Sequence, residues 1–364
     1  MIPYGHQSIN DDDIAAVTQI LKGDWLTQGP AVEEFEEALC SYTDAKFAVV
    51  FSSGTAALHA ACAVAGFGPG NSIYTSALTF SASAACALYV GAEPRFLDIS
   101  PDTLNMDLSL LPPNADGLIA VHYAGLPIDF AKMPYRPGII IEDASHALGA
   151  IGKNGPIGNC ADSDMCTFSF HPVKAITTGE GGAVTTNSKA LANSLRTFRS
   201  HGIVHKQEQG NWFYEVDSIG FNYRLTDIQS ALGLSQLKRL DRFIERRNEI
   251  ASRYRELLQD LQVTCPPSAP VGSTHAYHLF PVRVKNRRAI FDYLRNAGIG
   301  AQVHYIPLYK HPLYARTGSQ FQFPSTETVY GELLSLPIFP DLTDADQDIV
   351  IEVLGKALNE VPDK

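Results

Sequence analysis

Residues 168–182 contain the lysine that is best placed to do chemistry. The run FSFHPVK ends at Lys174, and the glycine-rich run GEGG follows at 179–182. A lysine just past a buried apolar strand, in a turn of proline and glycine, can be shielded from solvent, which lowers its pKa. Its neutral amine is then a nucleophile toward a carbonyl group. Taken alone, this stretch fits a solvated loop lysine better, because most lysines are exposed.

A second stretch is an apolar run, GIII at 138–141, that ends in the two acids Glu142 and Asp143. Successive side chains of a strand point to opposite faces, so the two carboxylates are predicted to diverge. A carboxylate at the end of a strand can pair with a pyridinium nitrogen and keep it protonated, which makes the ring an electron sink. A helix-capping or solvent-facing acid is an equally good interpretation of this stretch alone.

A third stretch, SSGTAAL at 52–58, follows an apolar strand and opens a helix. Gly54 allows a phosphate to approach the backbone, and Ser53 and Thr55 lie beside it. The N-terminus of a helix offers unpaired amides and the positive end of the helix dipole. An ordinary helix N-cap has the same sequence pattern, so this signal is weak by itself.

The elements that must position these residues alternate between short apolar runs and helical patterns from about residue 45 to 190. This alternation predicts a mostly parallel sheet with helices on both faces. The predicted strands are Phe47–Phe51, Arg95–Ile99, Gly117–His122, Gly138–Glu142, Asp164–Phe168 and Gly182–Thr186, and the predicted helices include Thr55–Ala65 and Phe80–Tyr89.

From Leu225 the pattern changes to long helix, with an apolar stripe between Leu237 and Leu258. The opposite, predicted solvated face carries Arg239, Arg242, Arg246 and Arg247. Beyond a proline-rich turn the predicted elements are a strand at Tyr277–Val284, a helix at Arg288–Asn296, a strand at Ile299–Tyr305 and a helix near Asp344–Leu358. We therefore predict a large domain at 1–240 and a smaller C-terminal α/β domain at 241–364.

Composition narrows the function classes. The chain has 364 residues, a formal net charge of -11 and no basic run, which argues against nucleic acid or an anionic membrane as its main partner. It shows no secretory leader and no run of roughly 18 apolar residues, so we expect a cytoplasmic protein without a membrane span. The six cysteines form no Cys-x-x-Cys pair, and we expect structural thiols and no metal.

Taken in order, the three stretches resemble the DegT/DnrJ/EryC1/StrS sugar aminotransferases, which are fold-type-I enzymes that use pyridoxal 5'-phosphate (PLP). The likeness covers nearly the whole chain, through RSHG at 199–202, GFNYRL at 220–225, QSA at 229–231 and AQVHY at 301–305. It implies an α/β fold with a mostly parallel mixed sheet flanked by helices, a smaller C-terminal α/β domain, and PLP as cofactor.

The resemblance also implies roles for individual residues. Lys174 matches the lysine that forms a Schiff base with PLP and then moves the proton, and Asp143 matches the partner of the pyridinium nitrogen. The remaining cofactor positions are Gly54, Thr55 and Ser169 at the phosphate, Phe80 against the ring, His146 near the phenolic oxygen, and Asn222 at the phosphate of the neighbouring subunit. Asn222 thus implies a homodimer with shared active sites. For His146, a buried histidine with a structural hydrogen bond is the alternative.

The implied reaction transfers an amino group from L-glutamate to a keto-sugar. Lys174 disfavours the dehydratase branch of the family, in which histidine replaces this lysine. The runs LTQG at 26–29, KAITT at 174–178 and LGLSQLK at 232–238 most resemble the branch that aminates C4 of UDP-2-acetamido-2,6-dideoxy-β-L-arabino-hexos-4-ulose in pseudaminic acid biosynthesis. Another nucleotide 4-keto-sugar is the alternative substrate. The implied substrate contacts are Tyr4, Trp25, Leu26, Thr27, Gln28, Ser53, His304 and Tyr305.

Three alternatives accompany these predictions. Residues 25–28 also fit a simple turn before Pro30, and Trp25 departs from the smaller or polar residue expected there. A PLP lyase or cysteine desulfurase would share the fold, but no cysteine lies in an exposed glycine-rich loop. A non-enzymatic regulator with this fold would need a DNA-binding module, for which the chain has neither spare length nor a basic helix.

Overall fold

The structure is a computed structural model that describes residues 1–315 and 323–361. Along the chain the helices are α1 (Asp11–Lys22), α2 (Pro30–Thr43), α3 (Gly54–Val64), α4 (Ala82–Tyr89), α5 (Lys189–Arg199), α6 (Asp227–Leu237), α7 (Leu240–Leu257), α8 (Arg287–Asn296), α9 (Pro312–Ala315), α10 (Pro324–Glu332) and α11 (Asp344–Glu360).

The strands are β1 (Phe47–Phe51), β2 (Ser72–Ser76), β3 (Glu93–Leu97), β4 (Gly117–Val121), β5 (Ile139–Asp143), β6 (Ile151–Gly152), β7 (Gly155–Pro156), β8 (Met165–Ser169), β9 (Gly182–Thr186), β10 (Ile203–His205), β11 (Tyr214–Val216), β12 (Phe280–Arg283) and β13 (Leu333–Leu336).

Seven strands form the central sheet in the order β1-β9-β8-β5-β4-β2-β3. The block from β8 to β3 is parallel, whereas β9 is antiparallel to both of its neighbours, β1 and β8. The two strands in the middle of this block, β4 and β5, are buried along all or nearly all of their length, as expected for a sheet covered on both faces. The predicted mostly parallel mixed sheet is confirmed.

Two predicted strands, β1 and β9, have the predicted bounds, and α3 and α4 lie within two residues of their predictions. The strand predicted at Arg95–Ile99 begins two residues earlier, at Glu93. Six strands, β2, β6, β7, β10, β11 and β13, have no counterpart among the predictions. The sequence of β2, SIYTS, is short and half polar, so its pattern does not stand out from a loop.

The strand predicted at Ile299–Tyr305 is wrong. Gly300 donates its amide to the carbonyl of Ile2, while Gln302 exchanges backbone hydrogen bonds with Ser335. The segment therefore divides its hydrogen bonds between two neighbours and forms only isolated bridges. The strand that pairs with β12 is β13 instead, which follows α10.

The long helical region breaks at residues 238–239 into α6 and α7. One of the four arginines that were predicted to lie on its solvated face, Arg247, is buried instead. Arg247 is 1% exposed. Its guanidinium donates to the backbone carbonyls of Tyr277 and Ile338, at 3.0 and 3.1 Å. Burial lowers its pKa to about 10. The side chain supplies donors to carbonyls beside β12 and β13, which explains why it faces inward.

The helix α7 contributes to two separate apolar clusters. Its first turns, with Leu240 and Ile244, pack with α2 and the central sheet, whereas Ile250 and Tyr254 pack with β12, β13 and α11. The change from one apolar cluster to the other thus falls inside α7. The predicted domain boundary between residues 240 and 241 stays a prediction, and the predicted C-terminal domain includes residues outside the described ranges. Among the helices that the structure describes, none is both long and apolar enough to cross a membrane.

The register of the sheet brings the three motifs of the sequence together. Gly182 pairs with Phe51 on one side and with Ser169 on the other. Val121 pairs with Asp143, which in turn pairs with Thr167 of β8. Because the carboxyl ends of parallel strands meet at one edge, the ends of β4, β5 and β8 form a common rim, where ligands bind in open α/β sheets.

Gly182 provides a test of this arrangement. A Cβ atom at this position would lie 2.6 Å from the backbone oxygen of Ser53 and from the amide nitrogen of Gly54. We expect Gly182→Ala to lower the free energy of unfolding by about 1–3 kcal/mol, because the backbone must move apart. Urea unfolding measures this change. Gly331→Ala is the matched control, since its Cβ would meet nothing within 4 Å. An equal effect of both substitutions would contradict the close approach.

Candidate active site

A cavity of about 480 Å³ opens at the rim formed by the carboxyl ends of the parallel strands. Its size falls in the range of small-molecule and cofactor sites. Sequence-predicted site residues that line it are Tyr4, Ser53, Gly54, Thr55, Phe80, Asp143, His146, Ser169, Lys174, His304 and Tyr305.

Lys174 lies in the loop between β8 and β9, and this loop folds back on itself. Phe170 donates its amide to the carbonyl of Gly181 at 2.8 Å, and Thr178 donates its amide to the carbonyl of Phe170 at 3.0 Å. Burial lowers the pKa of Lys174 to about 8, and the negative charge of Asp143 opposes part of this shift. The amine therefore becomes neutral at a lower pH than an ordinary lysine, as a carbonyl-directed nucleophile requires.

Strand alternation separates the two acids as predicted. Asp143 lines the cavity and accepts hydrogen bonds from Ser83 Oγ at 2.7 Å and from the amide of Ser145 at 3.1 Å. Glu142 instead accepts from His122 Nε2 at 2.7 Å and from Ser163 Oγ.

The contacts of His122 fix its tautomer. Its Nδ1 accepts the amide of Ile128 at 3.0 Å, so Nε2 carries the proton that is donated to Glu142. Both oxygens of Glu142 are thus occupied away from the cavity, and Asp143 is the one of these two carboxylates that is available to a ligand there.

The N-terminus of α3 forms another wall. Ser53 Oγ accepts the amide of Ala56 at 3.1 Å, which caps the helix, and the first amides of an α-helix have no partner within it. A Cβ atom at Gly54 would lie 2.8 Å from Cβ of Ser169, so only glycine allows this approach between α3 and the end of β8. The result is a narrow polar cradle with a positive helix end, which fits a phosphate group.

Aromatic and imidazole rings form the opposite wall. Phe80 is 58% exposed, an unusual exposure for a phenylalanine, and its ring centroid lies 5.8 Å from that of Tyr305. The hydroxyl of Tyr305 is 3.0 Å from Nε2 of His146, and the rings of His146 and His278 are 4.3 Å apart. Burial, and then the nearby Lys174, hold the pKa of His146 well below its usual range, so this ring is neutral.

The N-terminal segment and the region after α8 complete the cavity. The ring of Tyr4 lies 5.2 Å from that of His304, and its carbonyl accepts the amide of Ile338. Nδ1 of His304 is 2.9 Å from Ser335 Oγ. Burial, followed by the positive charge of Lys174, lowers the pKa of His304 to about 4, so this imidazole is also neutral.

Several cavity residues were not predicted. They include Thr79, Ser83, Ser145, His171, Glu180 and His278. Ser83 has a weak sequence signal, because it lies three residues after Phe80 at the start of a helix. His278 lies at the beginning of the predicted strand Tyr277–Val284, and a histidine at such a position resembles an ordinary core residue.

Five of the predicted site residues do not line this cavity. Trp25 and Leu26 are exposed, Thr27 forms a bridge with Thr226, and Asn222 forms a bridge with Ser200. Gln28 lines a separate surface groove of about 940 Å³. This groove is larger than the cavity, but neither Lys174 nor Asp143 reaches it, so we place the chemistry in the cavity.

Comparison with known proteins decides the family, because residues 7–355 match the model of the DegT/DnrJ/EryC1/StrS aminotransferase family. The chain belongs to this family. It is 37% identical to the UDP-4-amino-4,6-dideoxy-N-acetyl-beta-L-altrosamine transaminase of Campylobacter jejuni serotype O:2, over 99% of this chain and 98% of that protein. It is 36% identical to the spore coat polysaccharide biosynthesis protein SpsC of Bacillus subtilis, over 97% and 96%.

Solved structures agree with this family assignment. Helicobacter pylori PseC, an aminotransferase involved in the biosynthesis of pseudoaminic acid, superposes with a TM-score of 0.90 at 32% identity, over 99% of this chain and 100% of that chain. Streptococcus pneumoniae Spr1654 in its PMP form gives 0.92 at 28% identity over the whole of both chains, and its PLP form gives 0.90.

The protein is therefore a PLP-dependent nucleotide-sugar aminotransferase, and the predicted family, fold class, enzyme class and cofactor are confirmed. The residues of the cavity fit PLP on chemical grounds. The cradle at Gly54 and Ser169 suits its phosphate, the exposed ring of Phe80 suits its pyridine, and Asp143 offers an anionic acceptor for a ring N–H.

The lowered pKa of Lys174 predicts its reactivity in the cofactor-free protein. Only the neutral amine attacks an amine-directed reagent such as trinitrobenzenesulfonate, so modification of Lys174 should be half-maximal near pH 8. Peptide mass spectrometry across pH 6–11 measures the fraction modified at each lysine. Exposed lysines of the same chain, which ordinarily titrate near pH 10.4, are the internal controls. A Lys174 profile that coincides with theirs would show that the amine is solvated.

Proposed function

We propose that this protein transfers the amino group of L-glutamate to C4 of UDP-2-acetamido-2,6-dideoxy-β-L-arabino-hexos-4-ulose, in pseudaminic acid biosynthesis. The observation that carries the proposal is the 37% identity, over nearly full length, to a transaminase whose name gives the amino sugar. The similarity to PseC at a TM-score of 0.90 supports the same pathway.

Within this proposal Lys174 holds the cofactor and moves the proton at the substrate carbon. Its lowered pKa supports both tasks, because a neutral amine is at once a nucleophile and a base near neutral pH. PLP, when bound, supplies a ring that withdraws electrons from the substrate carbon. Asp143 would keep the ring nitrogen protonated, and its two hydrogen bonds from the protein keep this carboxylate in place.

The remaining walls of the cavity orient the cofactor and the sugar substrate. Gly54, Thr55 and Ser169 would hold the phosphate of PLP, Phe80 would pack against its ring, and His146 would lie near its phenolic oxygen. The neutral state of His146 suits this contact, since a charged imidazole would repel the amine of Lys174.

The substrate side of the cavity consists of Tyr4, Ser53, His304 and Tyr305. Burial raises the pKa of Tyr305, so its hydroxyl stays protonated and neutral. Neutral donors and acceptors of this kind suit the hydroxyl and carbonyl groups of a sugar.

We propose that the working unit is a homodimer in which Asn222 and residues 25–28 complete the partner's cavity. Residues 26 and 27 contact the segment that follows Asn222 in the chain, since Thr27 bridges Thr226 and the amide of Asp227 donates to the carbonyl of Leu26. The same proposal accounts for exposed apolar side chains, which mark association surfaces. They are Trp25 at 58%, Leu26 at 49%, Trp212 at 78% and Ile219 at 83% exposure.

A second candidate function is C4 amination of a different nucleotide 4-keto-sugar. The 36% identity to SpsC, a protein of spore coat polysaccharide biosynthesis, favours it to a similar degree. The two candidates share the donor half of the reaction and differ only in the acceptor, so the acceptor decides between them.

The yellow absorbance of the purified protein should fall when L-glutamate is added, and it should return when the UDP L-arabino 4-keto-sugar is added next. Lys174→Ala should reduce turnover by about a hundredfold or more, because it removes both nucleophile and base. Absorbance spectra taken with each of several nucleotide 4-keto-sugars measure the preference. If the yellow absorbance returns only with another nucleotide sugar, the second candidate function is correct. If L-glutamate does not bleach the protein, L-glutamate is not the amino donor.

Mixed dimers test the shared site. One subunit carries Asn222→Ala and the other carries Lys174→Ala. If Asn222 acts across the interface, both defects fall in one site and the other site stays intact, so about half of the wild-type activity remains. Activity of dimers isolated with two different affinity tags measures the fraction. Impairment of both sites would mean that Asn222 acts within its own subunit, and a monomeric protein would end the dimer proposal.

A further inference from the structure

A hydroxyl on α4 holds the carboxylate of Asp143. Ser83 is 1% exposed, and its Oγ lies 2.7 Å from Oδ2 of Asp143. The other oxygen, Oδ1, accepts the amide of Ser145 at 3.1 Å. Each oxygen thus has one donor from the protein, and the carboxylate cannot rotate about its χ2 angle without breaking both hydrogen bonds.

The direction of the hydrogen bonds follows from the chemistry of the groups. An ionised carboxylate only accepts, so the single hydroxyl proton of Ser83 is donated to Asp143. Oγ1 of Thr79 lies 3.0 Å from Oγ of Ser83, and in this arrangement Thr79 is the donor. Two buried hydroxyls therefore form a chain that ends on Asp143, and such chains are mutually strengthening.

The same turn presents the exposed ring of Phe80 to the cavity. The amide of Ser83 donates to the carbonyl of Phe80 at 3.2 Å. Outside the cavity the turn is braced by Tyr314, whose hydroxyl is 2.8 Å from Oγ of Ser81. Residues 79–83 therefore link the aromatic wall of the cavity to the carboxylate wall, although no residue in this turn is charged.

We propose that Ser83, supported by Thr79, is the positioning residue that sets the direction of the Asp143 carboxylate toward the ring of the cofactor. This inference rests on the proposed function in one respect, namely that Asp143 pairs with the ring nitrogen. Ser83 acts through Asp143 and not on either substrate. Loss of its hydroxyl leaves the carboxylate in the cavity but free to turn away from the ring.

Ser83→Ala tests the proposal. The expected result is a fall in kcat of about ten- to a hundredfold, the factor associated with one hydrogen bond to a charged group, with unchanged KM for both substrates. Tryptophan fluorescence of the cofactor-free protein, titrated with PLP, should show weaker binding by about tenfold. Ser83→Thr should restore both values, because it keeps the hydroxyl, and Thr79→Val should give a smaller loss. Ser235→Ala is the matched control, because it removes a buried hydroxyl that donates to the carboxylate of Asp13, outside the cavity.

The decisive measurement combines Ser83→Ala with Asp143→Asn. If Ser83 acts through Asp143, the serine substitution has almost no further effect on kcat or PLP affinity in the Asp143→Asn background. Losses that multiply would overturn the proposal, as would wild-type kcat in Ser83→Ala. A lower thermal midpoint that Ser83→Thr does not rescue would assign Ser83 a purely structural role and overturn it too. If Asp143→Asn keeps the wild-type kcat and PLP affinity, Asp143 does not have its proposed role, and Ser83 then has no positioning role either.

Discussion

Lys174 and Asp143 bring opposite charges into one cavity, and a charge is costly to bury without a partner. Burial lowers the pKa of Lys174 to about 8, while Asp143 opposes that shift. The amine thus stays within reach of deprotonation near neutral pH. The central sheet brings the two groups together, because the adjacent parallel strands β5 and β8 place the carboxylate of Asp143 and the loop of Lys174 at the same rim.

Apart from Glu180, the groups around the pair that are described above are neutral. His146 and His304 are uncharged because burial and the nearby amine disfavour imidazolium, and Tyr305 retains its proton. The other acid of the strand, Glu142, is held on the far face by His122 and Ser163. The lining therefore combines the amine of Lys174 and the carboxylates of Asp143 and Glu180 with neutral rings and hydroxyls, which can donate and accept hydrogen bonds without adding charge.

The predictable parts of this molecule are those encoded locally. The strand ending in Asp143, the Ser-Gly-Thr turn at the start of α3 and the loop of Lys174 each have a short pattern, and their order resembles one family along the chain. Arg247 was mispredicted because its helix position indicates solvent, whereas the carbonyls that hold it inward come from residues 30 and 91 positions away. Ser83 escaped prediction for the same reason, since its partner Asp143 is 60 positions away.

One wall of the cavity links the beginning of the chain to its far end. Ile2 bridges Ile299, and the carbonyl of Tyr4 accepts the amide of Ile338. A ribosome that adds about 5–20 residues per second makes Tyr4 up to roughly a minute before that partner. The wall that contains Tyr4 therefore closes only late in synthesis, after the strands that carry Asp143 and Ser169 have been made, so the cradle between Gly54 and Ser169 can form well before the cavity is complete.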